Sequence, residues 1–276
     1  MDSISKLVIK LTIPPELDAL LKRIDNNKKS ISERRPLKTE EVKQLHDYYR
    51  VGFTYSSNAL EGNTLTLIET KIIIEDGLTI NGKSIRECNE ALGGAKAYDL
   101  MLKTAQAEPL RIDENTILEL HRLFYSGIDL YHAGKYRNVR VFITGTDYVP
   151  PEPERVPALM NSFISELDQR KRYMHPVDMA AYAHRRLVQI HPFIDGNGRT
   201  ARLLMNLILI NHGYSVVSIP PILRGEYINS LIAAHREESP TDFPFRKLIF
   251  QCEIEEQKSV ARMLGIPLQK ERGLGR

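Results

Sequence analysis

A nine-residue segment, 191–199, combines several groups that act on phosphate esters: His-Pro-Phe-Ile-Asp-Gly-Asn-Gly-Arg. His191 is a side chain that can accept a proton near neutral pH. Asp195 offers a carboxylate, the ligand that Mg²⁺ takes together with phosphate oxygens. Gly196 and Gly198 let neighbouring backbone N–H groups converge on an anion. These residue types, this close together, predict a site for a metal-bound phosphate with a general base beside it.

The apolar pattern on either side predicts that two helices hold this segment. Residues 176–190 carry apolar side chains on one face, and the helix is expected to end before Pro192, because a proline pushes the preceding residue out of the α region. A second, very apolar helix begins near Asn197. Its free N–H groups and helix dipole favour a phosphate. Arg199 and Arg202 lie three residues apart on it, so both can bind further phosphate oxygens.

Helical periodicity dominates the remaining chain, so the fold class is mainly α. Two extended runs, 138–144 and 148–149, flank a Gly-Thr-Asp turn and predict a single β-hairpin. The loosely alternating residues 7–13 predict a short strand, and the polar stretch 25–38 predicts a linker. Further helices are predicted at residues 16–24, 39–60, 65–76, 85–106, 113–125, 157–168, 223–236 and 243–263.

Residues 191–202 resemble the signature of Fic domain proteins, His-x-Phe-x-Asp/Glu-Gly-Asn-Gly-Arg-x-x-Arg, with every fixed position present. The resemblance implies a Fic-type helical bundle with one β-hairpin, which this family calls the flap. It also implies a division of the chain into four parts. These are an N-terminal appendage and linker (1–38), a helical region with an inhibitory helix (39–111), the Fic core (112–252) and a C-terminal tail (253–276).

The resemblance further implies a protein adenylyltransferase. Such an enzyme transfers AMP from ATP to a Tyr, Thr or Ser hydroxyl of a target protein, or of itself, and releases pyrophosphate. His191 is then expected to deprotonate the hydroxyl, Asp195 to bind Mg²⁺, and Phe193 to anchor the loop. The residues that the resemblance assigns to the triphosphate are Gly196, Asn197, Gly198, Arg199 and Arg202, with Arg202 chiefly on the γ-phosphate.

Three positions bear on the choice of substrate. The branch of the family that transfers phosphate carries Lys where this chain has Gly198, so Gly198 favours AMP transfer; UMP or phosphocholine transfer stays open. Residues 223–235 resemble the family's following helix, in which Tyr227 is expected to form a wall of the pocket. Relatives often have Asn near the adenine where this chain has His235, which leaves the base contact open.

Residues 57–62, Ser-Asn-Ala-Leu-Glu-Gly, resemble the family's inhibitory motif Ser/Thr-x-x-x-Glu-Gly/Asn, here N-terminal to the core. Ser57 and Glu61 occupy its fixed positions. The resemblance implies that Glu61 pairs with Arg202 and removes that arginine from the γ-phosphate. In relatives with this arrangement the glutamate can also orient a water that removes AMP. Two alternatives therefore stay open: a deAMPylating enzyme, and a nucleotide-sensing protein that never transfers.

The predicted hairpin carries an uninterrupted apolar run, Val141, Phe142 and Ile143. An exposed strand edge can bind a target peptide as an additional strand, so these residues are candidates for target binding. A purely structural hairpin is the alternative. Tyr148 is equally interpretable as an exposed self-modification site.

Composition limits the partners and the compartment. A net charge of +3 from 38 basic and 35 acidic residues does not indicate a nucleic-acid partner. Two isolated cysteines, Cys88 and Cys252, favour a reducing compartment. The N-terminus lacks a signal-peptide pattern, and no apolar run approaches about 18 residues. The sequence predicts a cytoplasmic protein without membrane contact, whose partners are ATP and an unidentified target protein. A homodimer is suggested by relatives.

Overall fold

The computed structural model describes residues 13–236 and 241–268. In these two ranges the chain forms ten α-helices and no β-strand. The helices are α1 (Pro15–Ser32), α2 (Thr39–Ala59), α3 (Leu67–Lys71), α4 (Ile85–Ala105), α5 (Glu114–Tyr125), α6 (Val156–Arg170), α7 (Pro176–Ile190), α8 (Asn197–Asn211), α9 (Arg224–His235) and α10 (Phe243–Met263). A π-helical turn, Ile72–Asp76, continues α3, and 3₁₀ turns precede α6 and α9. The mainly α prediction is confirmed.

Helices α7 and α8 form the centre of the core. Helix α8 buries residues around its whole circumference, and a helix of this kind must lie inside the protein. It packs along α7, and α4, α5 and α2 also contact it. The segment that carries the predicted chemistry joins α7 to α8, so it is attached to the most deeply buried part of the molecule.

Two helices that face this segment begin at side-chain caps. At the start of α4, the Ser84 hydroxyl accepts a hydrogen bond from the N–H of Glu87 (3.1 Å), and the Glu87 carboxylate accepts one from the N–H of Ser84 (3.0 Å). At the start of α5, Asp113 accepts from the N–H of Thr116 (2.8 Å). Such caps satisfy free N–H groups at the start of a helix. They fix where α4 and α5 begin.

Helix α1 is longer than the sequence pattern predicted. The prediction ended it at residue 24 and assigned 25–38 to a linker, but the helix continues to Ser32. That part of the linker prediction is wrong because Asn27 and Ile31 continue the buried face through an otherwise polar stretch. The side chain of Gln257 donates a hydrogen bond to the Ile24 carbonyl (3.0 Å), which ties α1 to α10. The strand predicted for residues 7–13 lies outside the described residues except for Ile13.

The β-hairpin predicted for residues 138–149 is not formed as paired strands. A turn is present at Thr144 and Gly145, and Gly145 has the positive φ of 85° that the turn requires. No backbone hydrogen bond joins the two runs that flank it. The guanidinium of Arg137 instead donates to the carbonyls of Val139 (3.0 Å) and Pro151. Side-chain hydrogen bonds, rather than a strand ladder, therefore hold this segment, which we call the flap segment (138–150).

None of the helices within 13–236 and 241–268 combines the length and the apolar character that crossing a bilayer requires.

A candidate active site at the start of helix α8

The loop between α7 and α8 is held in one conformation by its own side chains. His191 ends α7 in the left-handed conformation (φ 52°, ψ 58°), which breaks the helix before Pro192. The Asn197 amide accepts from the N–H of Phe193 and donates to the Phe193 carbonyl, both at 2.9 Å. The Phe193 ring is buried and stacks on His121 with 3.8 Å between ring centroids. Helix α8 thus begins from a fixed loop.

Gly196 is required at the turn into α8. Its φ is 78°, and a Cβ at this position would lie 3.0 Å from the Phe124 ring and 3.3 Å from the His121 ring. A larger residue would suffer both the unfavourable backbone conformation and the contact. His121 also bonds to the Asp195 carbonyl through Nε2 (3.1 Å) and accepts from the N–H of Gly134 through Nδ1 (3.0 Å). This buried histidine braces the loop from behind.

His191 presents one nitrogen to the site. Its Nδ1 lies 3.3 Å from the carbonyl of Val188, and a carbonyl only accepts, so Nδ1 carries the proton and Nε2 has a free lone pair. Burial lowers the pKa of the imidazole to about 4, against the opposite effect of the Val188 carbonyl. The ring is therefore neutral at pH 7. Arg137 donates to the His191 carbonyl (2.8 Å) and fixes the main chain that carries the ring.

Arg202 is the most heavily bonded cation of the loop region, and its side chain is 1% exposed. Its Nε donates to the Ser57 hydroxyl (2.9 Å) and its Nη2 to the Ser57 carbonyl (2.8 Å). Nη2 also donates to Glu61 (2.7 Å), and Nη1 donates to the Tyr227 hydroxyl (3.0 Å). The Tyr227 hydroxyl is in turn hydrogen-bonded to Nε2 of His184 (3.0 Å), and burial raises the pKa of Tyr227 to about 12. The guanidinium is held between α2 and α9.

Glu61 lies directly over the N-terminus of α8. Burial acts to raise the pKa of its carboxyl, but the guanidiniums of Arg202 and Arg199 outweigh burial and lower it below the ordinary value. The side chain is 35% exposed, so it is not locked inside the core. One carboxylate oxygen rests against Gly198, where any Cβ would collide with it. The carboxylate thus lies against the first turn of α8.

Asp195 is surrounded by cations. One of its oxygens accepts from Arg86 (2.6 Å), and the other accepts from the N–H of Gly196 (2.6 Å) and from Arg199 (3.3 Å). Burial acts to raise its pKa, but Arg199, the Gly196 N–H and Arg86 together lower it. Arg199 is also paired with Glu90 of α4 (3.0 Å). A charge network between α4 and the loop results.

The Asp195 carboxylate fits a magnesium ion brought by a triphosphate. No group of three or more His, Cys, Asp or Glu side chains that could hold a metal is found in the described ranges. Mg²⁺ bound with nucleotides needs only one or two carboxylates besides phosphate oxygens. The guanidinium of Arg86, itself half-exposed, lies where a cation contacts this carboxylate. A metal bound there would compete with Arg86 for the same oxygen.

A cavity of about 140 Å³ opens beside the loop. Glu61, His191 and Gly198 line its polar end, and Tyr148 and Tyr227 contribute to its other walls. Ligand sites usually enclose about 300–1,000 Å³. In the conformation described, with Glu61 in place, the cavity therefore admits only part of a nucleotide.

The three flap residues predicted to bind a target do not share one environment. Phe142 is 82% exposed, whereas Val141 and Ile143 are partly covered and Ile143 lines the cavity. Tyr148 donates its hydroxyl to the Gln189 carbonyl (2.7 Å), so this hydroxyl is engaged with the protein. The flap segment thus borders the site, with Phe142 directed away from it.

Sequence reasoning missed several residues that support the loop. Arg86 and Glu90 of α4 contact Asp195 and Arg199, and His121 and Arg137 brace the main chain. The four-residue spacing of Arg86 and Glu90 was visible, but the sequence does not show which helix face meets the loop. His121 and Arg137 carry no local signal, because they act through long-range contacts.

Comparison with known proteins places these features in a family. The model of the Fic/DOC family matches residues 111–209. The protein adenylyltransferase Fic of Drosophila persimilis is 42% identical over 202 residues, which cover 72% of this chain and 38% of that protein. This chain spans less than half the length of the curated relatives that it matches.

Two solved structures share the fold. Fic-1 (residues 134–508) of C. elegans has a TM-score of 0.80 and 30% identity, and the match covers 91% of this chain and 72% of that one. A Fic domain containing signaling protein from Bacteroides thetaiotaomicron also has a TM-score of 0.80 and 30% identity, and the match covers 91% of this chain and all of the other (100%).

Proposed function

This chain belongs to the Fic/DOC family, and we propose that it is a protein adenylyltransferase that transfers AMP from ATP to a hydroxyl group of a target protein. The observation that carries the proposal is the start of α8, where His191 and Gly198 line one cavity and Arg199 and Arg202 lie on the first turns of the helix. Relatives that carry the name protein adenylyltransferase support the same reaction here.

In the proposed reaction, the N–H groups of residues 196–199 bind the phosphates and Arg202 binds the γ-phosphate. The target hydroxyl oxygen attacks the α-phosphorus, the bond to the β-phosphate oxygen breaks, and pyrophosphate leaves. The hydroxyl proton passes to Nε2 of His191, which is available because Nδ1 is bonded to Val188. A Mg²⁺ ion at Asp195 would neutralise charge on the phosphates. Positioning and charge neutralisation supply most of the catalysis in such reactions.

The proposal includes autoinhibition by Glu61. It is supported by the 2.7 Å pairing of Glu61 with Arg202 and by the contact of the carboxylate with Gly198. Four of the five guanidinium N–H groups of Arg202 already donate to Ser57, Tyr227 and Glu61, so only one N–H, on Nη1, is left for a γ-phosphate. Because the Glu61 side chain is one-third exposed, a rotation toward solvent would release the site without unfolding α2.

A second candidate activity uses the same glutamate. Glu61 and His191 line one cavity, so a carboxylate and an imidazole would face AMP on a modified target from two sides. A carboxylate in that place can hold a water and take its proton as the water attacks the phosphorus. The bond between the phosphorus and the target's oxygen then breaks, that oxygen takes up a proton, and AMP is released. A purified target already carrying AMP separates the two directions: its mass falls by one AMP group on incubation if the wild-type chain is a deAMPylating enzyme.

The remaining parts of the proposal concern partners. The target supplies a Tyr, Thr or Ser hydroxyl, and the exposed Phe142 of the flap segment is proposed to contact it.

A cytoplasmic location is supported by two buried free cysteines, Cys88 and Cys252. A homodimer rests on the resemblance alone, and sedimentation at several protein concentrations tests it.

Intact-mass measurement tests the proposed function. The wild-type chain and Glu61→Gly are incubated with Mg²⁺ and each nucleoside triphosphate in turn. Glu61→Gly is expected to gain AMP mass from ATP on the order of 5–150-fold faster than wild type, the range of a typical coupling between two sites. Glu69→Gly, which changes a glutamate outside the cavity, is the matched control. If no Glu61→Gly sample gained AMP mass faster than wild type, the inhibitory role of Glu61 would be contradicted. Tight ATP binding without any transfer would favour a nucleotide sensor.

A further inference from the structure

A small cavity lies where helices α2, α4, α5 and α8 meet. Its volume is about 10 Å³, and its walls include Thr54 and Asn58 of α2, Gly94 of α4, Phe124 of α5 and Arg199 of α8. A Cβ at Gly94 would lie 2.9 Å from Cγ2 of Thr54, so the space exists because α4 carries a glycine where it faces α2. The cavity thus separates the helix that ends near Glu61 from an arginine of the loop.

Three residues that line this cavity carry buried polar atoms without a partner. Thr54, Asn58 and Arg199 are each at most 5% exposed. Within the described ranges, Oγ1 of Thr54, Nδ2 of Asn58 and Nε of Arg199 make no hydrogen bond. Buried polar atoms are nearly always paired in folded proteins, so three unpaired ones around one cavity indicate that a small molecule binds there.

The three atoms limit the chemistry of that molecule. Thr54 and Asn58 lie four residues apart on one face of α2. A Cβ built on Gly94 would lie 3.7 Å from Oγ1 of Thr54 and 3.7 Å from Nδ2 of Asn58, so both atoms border the same space. Amide and guanidinium nitrogens only donate, whereas a hydroxyl donates or accepts. The bound molecule must therefore accept from two donors.

Size and charge both favour water over an anion. A cavity holds one water from about 10–15 Å³ upward, provided that two to four polar partners surround it. The charge of Arg199 is already compensated, because its guanidinium lies 3.0 Å from Glu90 and 3.3 Å from Asp195. A second negative charge is not needed here. A single neutral molecule that accepts two hydrogen bonds and donates another satisfies all three unpaired atoms.

We propose that a buried water accepts hydrogen bonds from Nδ2 of Asn58 and Nε of Arg199 and donates to the Thr54 hydroxyl, which makes Thr54 and Asn58 positioning residues for Arg199. The guanidinium of Arg199 also lies over the Phe124 ring, 4.3 Å from its centroid. With the water in place, each of its nitrogens has a partner.

The water gives α2 a second task beside the inhibition proposed above. The same helix holds Arg202 through the hydroxyl and the carbonyl of Ser57. Helix α2 would therefore fix both arginines, and it would continue to do so when Glu61 has turned away from Arg202. The water site stands on the geometry alone, whereas its effect on ATP rests on the proposed function.

Crystals of the wild-type chain without nucleotide test the water site, at a resolution that shows ordered water. The expected result is one water within hydrogen-bonding distance of the three unpaired atoms, and no anomalous signal in the cavity after a bromide soak. A bromide ion in the cavity would overturn the proposal. So would an Asn58 amide whose oxygen accepts directly from Nε of Arg199, or a cavity without ordered density.

Matched variants in the Glu61→Gly background test the positioning role by calorimetry with Mg²⁺ and ATP. Thr54→Val keeps the shape of the side chain but removes the hydroxyl, and it is expected to weaken ATP binding by about 3- to 10-fold, the effect of one ordinary hydrogen bond. Thr54→Ser keeps the hydroxyl and is expected to restore most of the affinity. Thr104→Val is the control, because the Thr104 hydroxyl bonds to its own helix at the Leu100 carbonyl (2.9 Å).

AMP separates positioning of Arg199 from a general loss of structure. AMP lacks the β- and γ-phosphates, so Thr54→Val is expected to leave its affinity unchanged, whereas a fraction of unfolded protein would lower the apparent binding of both nucleotides. Unchanged ATP affinity in Thr54→Val, or an equal loss in Thr54→Ser or for AMP, would overturn the positioning role. If the Glu61→Gly parent bound no ATP, the proposed function would fail, and the wild-type crystals would still decide the water site.

Discussion

The loop that we propose to be catalytic (191–202) and the flap segment (138–150) border the same cavity but are built differently. In the loop, Asn197 closes a turn with two hydrogen bonds, and Arg202 donates through all three of its nitrogens. The flap segment has no strand ladder, and Phe142 at its surface is 82% exposed. The loop is fixed by hydrogen bonds within the protein, whereas the flap segment has main-chain groups and the Phe142 ring that are not engaged in such contacts.

This difference matches the two tasks that the proposed function assigns to the site. Charge stabilisation at a phosphorus works only if donors are in position before the reaction, so the loop is attached to the two most buried helices. A surface that binds another protein gains from backbone groups that are still available for pairing. Changes in the loop should therefore alter the rate of transfer, and changes in the flap segment should alter which protein is modified.

The largest effect is expected from His191→Ala in the Glu61→Gly background. Loss of a general base costs about 10²- to 10⁴-fold in rate. The change is expected in kcat, measured as AMP incorporation by intact mass, with ATP affinity unchanged because the imidazole does not bind the phosphates. His212→Ala is a matched control, since His212 also follows a helix and contacts a carbonyl through Nδ1 (2.8 Å to Ile208). If the His191→Ala protein transferred AMP as fast as its Glu61→Gly parent, His191 would not be the general base. Changes in the loop would then affect the rate no more than changes in its surroundings.

A smaller effect is expected at the edge of the loop. Arg86→Met removes the guanidinium that occupies Asp195 and should tighten metal binding, by up to about 5-fold, because partly exposed ion pairs contribute only about 0.2–1 kcal/mol. A Mn²⁺ titration in the presence of ATP, followed by electron paramagnetic resonance, measures the change. Arg122→Met, which breaks a comparable surface pair with Glu119, is the control. Weaker metal binding in Arg86→Met would mean that Arg86 supports the carboxylate instead of competing for it.

In the flap segment, Phe142→Ala is expected to raise KM for a protein target by a few-fold and to leave ATP binding unchanged. The exposed ring can add apolar area to an interface, but its loss disturbs no core contact. Steady-state kinetics with a purified target measures the change, and Val149→Ala, another exposed apolar residue of the segment, tests whether the effect is local. A fall in kcat at a saturating concentration of the target would mean that Phe142 takes part in the reaction at the loop, not only in target binding.

Between pH 6 and 9 almost no change in rate is expected from His191. Its pKa in the folded protein is lowered to about 4 by burial, so the proton-accepting neutral form is already complete at pH 6 and is lost only as the pH falls toward 4. A profile of AMP transfer by the Glu61→Gly protein, with stability monitored by circular dichroism, checks this. A midpoint of the rate profile near pH 6.5 would show that the imidazole of His191 is exposed. The loop would then not differ from the flap segment in its exposure.

The sequence predicted the parts of this molecule that depend on local pattern. The buried helices α7 and α8 and the break before Pro192 follow from apolar spacing and from proline, and their bounds agree with the structure. The flap was predicted as a hairpin because two extended runs, 138–144 and 148–149, flank a Gly-Thr-Asp turn. Extended backbone does not guarantee pairing, and the Val139 carbonyl in the first run accepts from Arg137 instead.

Local pattern could not predict contacts between distant segments, and the pairing of Glu61 with Arg202 was expected only from the family resemblance. The positions of Arg86 and Glu90 beside the loop depend on how α4 is rotated, and that rotation follows from packing of the whole bundle. The continuation of α1 through Asn27 was hidden for the same reason, because its buried face meets α10 only in the folded chain. Tertiary packing overrode local polarity in both places.

Crystals of the Glu61→Gly protein soaked in Mg²⁺ and ATP test the central claim most directly. The predicted result is a triphosphate seated on the N–H groups at the start of α8, with Arg202 turned to the γ-phosphate and Nε2 of His191 facing the α-phosphorus. A triphosphate bound elsewhere, or an imidazole pointing into the core and away from the phosphorus, would contradict the account.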